Sequence, residues 1–142
     1  MAIRKLEYYE GAALYRLIRS LGEVRVRVDD GSVVLDDQVR VFLKYCTRTR
    51  SPWSFTFSGA ERRALGKHSA TIRVLIGLVC GSDGVAALEY ADLFDVAGDG
   101  ENQIAVSCCR GYDEYYTISG PVKELARKIA PAAWNRVLVT RG

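Results

Sequence analysis

The sequence predicts an α+β fold, a mixed and mostly antiparallel sheet with flanking helices. Three observations predict it. Apolar residues recur at helical spacing over 5–22. Short strands broken by turns fill 23–58. The remainder mixes strand and helix patterns without the strict alternation of a doubly wound nucleotide fold. The 142 residues, 49% of them hydrophobic, suit one domain covering 1–142. A chain of this length buries roughly 68–70% of the surface it would expose unfolded.

The elements follow in chain order. In KLEYYEGAALYRLIRSLG, Leu6, Ala13, Leu14, Leu17, Ile18 and Leu21 form one stripe, and Gly22 ends the helix. EVRVRV alternates strictly, with Val24, Val26 and Val28 on one face and Arg25 and Arg27 on the other. DDGS turns the chain. A second strand, a tight turn at Asp36-Asp37-Gln38 and a third strand follow. On the third strand Val39, Val41, Leu43 and Tyr45 share one face, and Arg40, Phe42 and Lys44 share the other. CTRTRSP is a loop, and WSFTF is a fourth strand with Trp53, Phe55 and Phe57 aligned. GAERRALGKH is a short helix or turn. ATIRVLIGLVCG is the most apolar strand and belongs at the sheet centre. GVAALEYADLFDVAG reads as an amphipathic helix, and QIAVSCCRG and EYYTISG as a hairpin around Tyr112-Asp113. PVKELARKIAPAAW reads as a terminal helix with Pro121 near its first turn, and RVLVT as a last short strand.

Charge is uneven. The net charge is only +3, but Arg40, Lys44, Arg48, Arg50, Arg62, Arg63 and Lys67 are joined by a single acid, Glu61, before His68. From Glu89 to Glu101 there are five acids and no Lys or Arg. This predicts a polarised molecule whose basic part meets a polyanion. Arg25, Arg27, Arg40 and Lys44 fall on one sheet face, and Arg48 and Arg50 extend it through the loop. Trp53 and Tyr45 would serve as stacking platforms if exposed. Nucleic acid is the expected partner, with DNA and RNA both open.

Other chemistry is poorly served. The four cysteines (46, 80, 108 and 109) form no C-x-x-C pair, and His68 is the only histidine, so a structural zinc is not expected. Cys80 ends an apolar run and reads as a buried thiol. Cys108 and Cys109 point to opposite faces of a strand, as do Tyr115 and Tyr116. GSDG (81–84) lacks the phosphate-loop pattern and reads as a strand-to-helix turn, with Ser82 or Asp83 capping the helix. GDGEN (98–102) reads as a surface loop. No apolar run approaches the roughly 18–20 residues of a membrane span, and residues 1–20 contain no signal-peptide core. A cytoplasmic protein without membrane partners is expected.

Helix, three strands, helix, strand: over residues 5 to 85 this order resembles the core of the PD-(D/E)XK nuclease superfamily, the restriction-endonuclease-like fold. The resemblance implies acids on the second strand and two residues before a third-strand lysine, with a first-helix Glu often added. It implies that Lys44 positions the attacking water and that Asp36, Asp37 and Glu10 hold Mg²⁺ or Mn²⁺. The sequence departs from the pattern at Phe42, which stands where the acid two before Lys44 belongs. An acid from another element would have to replace it, and Glu10 is the best donor. Cleavage and binding without cleavage both stay open. So do a homodimer and a non-enzymatic module docking a protein partner through exposed aromatics and the basic loop.

Overall fold

The computed structural model describes residues 2–29 and 31–139. Helix α1 (Lys5–Ile18) leads into strands β1 (Val26–Asp29), β2 (Ser32–Leu35) and β3 (Val39–Cys46). β4 (Trp53–Phe57), α2 (Gly59–Ser69) and β5 (Arg73–Cys80) follow, then β6 (Gly84–Glu89) and α3 (Tyr90–Ala97). β7 (Ile104–Cys109), β8 (Thr117–Ser119) and a 3₁₀ turn (Pro131–Arg136) complete the described elements. The fold is α+β with a mixed, mostly antiparallel main sheet, ordered β1-β2-β3-β5-β6. Its one parallel pair is β3 with β5, in register from Val39 opposite Arg73 to Cys46 opposite Cys80. The other three strands form a second sheet, β4-β7-β8.

Strand alternation sorts the core into two layers. Ile76, Leu78 and Cys80 of β5 meet Trp53, Phe55, Phe57, Val106 and Ile118 of the small sheet, with Leu65 of α2 and Leu93 and Val96 of α3 closing the same layer. On the other face of the main sheet, Val39, Val41, Leu75 and Val79 meet Ala13 and Leu17 of α1 and Trp134 of the 3₁₀ turn. β5 lies inside the main sheet and is buried from Val74 to Cys80, as expected of its composition. Gly77 is where Trp134 crosses it. A Cβ there would stand 2.7 Å from the indole and 2.8 Å from Leu43 Cδ2, so any larger residue forces one of these side chains to shift.

Four expectations are corrected. GVAALE is a strand, not the start of a helix: β6 pairs with β5 from Leu75↔Glu89 to Cys80↔Gly84, and the helix begins only at Tyr90. Val85–Leu88 is buried on both faces, and such a short apolar run has no period that separates strand from helix. GSDG is therefore a strand-to-strand turn and caps no helix. The segment 121–130 is not helical either. It runs beside β8 through bridges Tyr116↔Ile129 and Ser119↔Glu124, burying Leu125 and Ile129. A helix of that length is marginal in water, while the β8 edge offers unmet backbone groups. The last predicted strand forms turns over 137–139, and Thr140 lies outside the described residues.

Candidate nucleic-acid interface

Lys44 projects from β3 into the layer beside the small sheet. Its Nζ lies 2.9 Å from Glu61 Oε2 and 3.2 Å from Oε1, and 5.3 Å from the Phe57 ring centroid. Glu61 is fixed by its place in the chain. Ser58 caps α2: its Oγ accepts from Glu61 N–H at 3.1 Å, and Ser58 N–H donates to Glu61 Oε1 at 2.9 Å. Burial pushes the Glu61 carboxyl up, the largest single effect. The Ser58 N–H and Lys44 together outweigh it and hold the carboxyl below its ordinary value.

The acids expected around Lys44 are elsewhere. Asp36 and Asp37 form the β2–β3 turn, both with positive φ (53° and 54°). Asp36 accepts from Arg25 N–H at 2.8 Å, and Asp37 pairs with Arg27 at 3.4 Å and Arg25 at 3.7 Å. From Val39, next to that turn, β3 runs about 17 Å to Lys44. Glu10 belongs to α1, which packs on the opposite face of the main sheet. Burial and then the neighbouring Glu7 raise its carboxyl. Asp36, Asp37 and Glu10 are thus not brought together, and none reaches Lys44. Asp29 shares the Lys44 face, but Arg40 binds it at 2.9 Å, and that hydrogen bond holds its carboxyl below the ordinary value. Among the described residues no three His, Cys, Asp or Glu side chains converge as a metal ion would need. The donor set therefore does not fit the expected Mg²⁺ or Mn²⁺.

The predicted nucleic-acid residues divide in the same way. Arg40 is only 6% exposed; besides Asp29 it binds Ser32 Oγ at 2.6 Å and is structural. Trp53 is 2% exposed and donates Nε1–H to Arg48 O at 2.9 Å, so it is no stacking platform. Tyr45 stacks on Tyr9, ring centroids 5.1 Å apart. Arg25 and Arg27 are exposed but already paired, both with Asp37 of the β2–β3 turn and Arg27 also with Asp29. The expected charge polarity is also partly cancelled. Arg62 donates to the carbonyls of Gly98 and Asn102, and Arg63 pairs with Glu101 at 3.4 Å.

Arg48 and Arg50 remain. Both are exposed, and neither guanidinium has an ion-pair or hydrogen-bond partner among the described residues. Their loop is anchored at its base. Trp53 holds Arg48 O, and Gly81 N–H donates to Cys46 O at 3.0 Å. Gly81 has φ +53°, and a Cβ there would lie 2.3 Å from Arg48 O. Next to the loop is an open cleft of about 790 Å³, lined by Arg50, Ser51, Asp83, Arg110, Tyr112 and other residues of the same loops. Its far wall is braced. Arg110 Nη1 sits 3.0 and 3.1 Å from the two Asp83 oxygens, Tyr116 O–H donates to Asp83 at 2.7 Å, and the Arg110 guanidinium lies over the Tyr116 ring. Tyr112 at the cleft mouth is 95% exposed. The arrangement offers two unpaired cations and a free aromatic face beside a rigid wall.

Sequence reasoning missed Glu61 and the Asp83–Arg110–Tyr116 brace. The S-x-x-E spacing of Ser58 and Glu61 is a helix-start pattern that would have placed Glu61. Nothing local joins Asp83 to Arg110, which are 27 residues apart. Comparison with family models, with curated proteins and with solved structures found no match to the chain. No helix among the described residues is long and apolar enough to cross a membrane.

Proposed function

We propose that the chain is a nucleic-acid-binding domain on a nuclease-like core, and that it grips single-stranded backbone at the 47–51 loop and its cleft. One observation carries this: Arg48 and Arg50 stand exposed and unpaired beside a cleft whose mouth holds the exposed Tyr112. Cations along a groove with an aromatic face fit phosphates and bases without regard to sequence. The nuclease-like core is supported by the order of the main-sheet elements: a helix, three antiparallel strands and, after β4 of the second sheet, a helix and a strand parallel to the third.

A metal-dependent nuclease is the second reading, favoured by Glu61. It brings a carboxylate to Lys44 from α2, where Phe42 brings none. Glu61 and Asp29 would then stand for the acids expected at Asp36, Asp37 and Glu10. Two carboxylates, one of them already held by Arg40, fall short of a hard-cation ligand set, so binding without cleavage is preferred.

The test uses labelled single-stranded DNA, RNA and duplex with Mg²⁺ or Mn²⁺. The expected result is salt-dependent binding, weakened by Arg48→Ala/Arg50→Ala, with the strands left intact. Cleavage abolished by EDTA and by Lys44→Ala would establish the second reading. Neither binding nor cleavage would remove both and leave a protein-docking module.

A further inference from the structure

We infer that the free edge of β1 is a self-association surface, joining two copies of the chain into one continuous antiparallel sheet. Among the described residues β1 ends the main sheet and has only β2 as a strand neighbour. Its hydrogen-bonding direction can be read from the turn. Asp36 N–H donates to Arg25 O at 2.8 Å, and Arg25 N–H donates to Asp36 Oδ1, so residue 25 faces β2. Antiparallel ladders alternate, so Arg27 and Asp29 face β2 as well, and the backbone groups of Val26 and Val28 point outward. These two side chains are also unusually open, at 48% and 77% exposure. They lie on the face that α1 covers farther along the sheet but leaves bare here.

Charge complementarity selects the occupant. In a two-fold antiparallel pairing, Val26 meets Val28 of the partner subunit and Val28 meets the partner's Val26. Both pairs exchange backbone hydrogen bonds, because the outward-facing residues of each copy meet each other. The same register sets Arg25 opposite the partner's Asp29, twice. The Asp29 side chain is 43% exposed and the Arg25 side chain 81%. Arg27 meets its own copy on the axis, but each is already balanced by Asp37 at 3.4 Å and Asp29 at 3.8 Å in its own chain. Four valines then form one apolar strip across the junction. β1 carries no Pro, Lys or bulge between Val26 and Asp29; it is short and its charges, Arg27 and Asp29, lie on the face opposite the valines, so the valine strip itself is left unblunted.

The test is sedimentation equilibrium across concentration, with circular dichroism as the control for folding. Wild type is expected to associate from 15.7 kDa to a species of twice that mass. Val26→Lys/Val28→Lys leaves the β2 side intact and is expected to sediment as a monomer with unchanged melting. Arg25→Glu is expected to raise the dimer Kd about tenfold through its two repelling pairs. A wild type that stays monomeric at its highest soluble concentration overturns the inference. So does a dimer that the lysine variant or Arg25→Glu leaves unchanged.

Discussion

Lys44 and Glu61 show how one pair serves several needs. Glu61 caps α2 through Ser58 and neutralises Lys44 in the space beside Phe57. Both side chains are partly exposed (25% and 43%), so their coupling is expected below about 1 kcal/mol in a double-mutant cycle of Lys44→Met and Glu61→Gln read by urea unfolding. A much larger coupling would mark a pair more deeply dehydrated than this one. pH probes the same residue together with Asp29. Both carboxyls sit below their ordinary values, so each contributes stability that is complete above the unfolded values of about 3.9 and 4.3. That stability is lost as pH falls through the lower folded values. Glu10, raised mainly by burial, has the opposite sign and costs stability as pH rises past its ordinary value. The urea midpoint should therefore drop on acidification below about pH 5. Asp29→Asn/Glu61→Gln should flatten that acid limb, and a limb unchanged in the variant would place its origin elsewhere.

The elements show which patterns a sequence can carry. The first helix was legible from its buried stripe, and the first three strands from the Val/Arg alternation and the turn residues between them, although β1 stays exposed on both faces and β2 and β3 bury residues on both. β6 was not, since burial on both faces erases the period, and its Ala-Ala-Leu-Glu composition favours a helix until pairing with β5 overrides it. The segment 121–130 has a helical stripe that the β8 edge outcompetes. Of the site, the basic loop was legible as a charge run. The burial of Trp53 and Arg40 was not, because it depends on the second sheet and on Ser32 and Asp29. Trp134 tests the C-terminal docking. Its indole fills the space over Gly77 and its Nε1–H donates to Ala13 O at 2.8 Å. Trp134→Ala should cost about 3–5 kcal/mol. Gly77→Ala should cost about 1–3 kcal/mol by crowding the same spot. Thermal or urea unfolding reads both, and a neutral Trp134→Ala would contradict the packing described.

At the scale of the molecule, charge that looked polarised along the chain is largely spent inside it. Arg62, Arg63, Arg40 and Lys44 all find partners, and of the basic run from Arg40 to Lys67 only Lys67 and, in the 47–51 loop, Arg48 and Arg50 are left without one among the described residues. The central claim is that this loop contacts phosphates. The most direct measurement is the salt dependence of single-stranded DNA binding, followed by fluorescence anisotropy for wild type and Arg48→Ala/Arg50→Ala. Each phosphate contact contributes about 0.7 to the slope of log K against log salt. The account predicts that removing both arginines lowers the slope by about 1.4 and weakens binding at low salt. Binding that is insensitive to salt, or a slope the double substitution leaves unchanged, would contradict it.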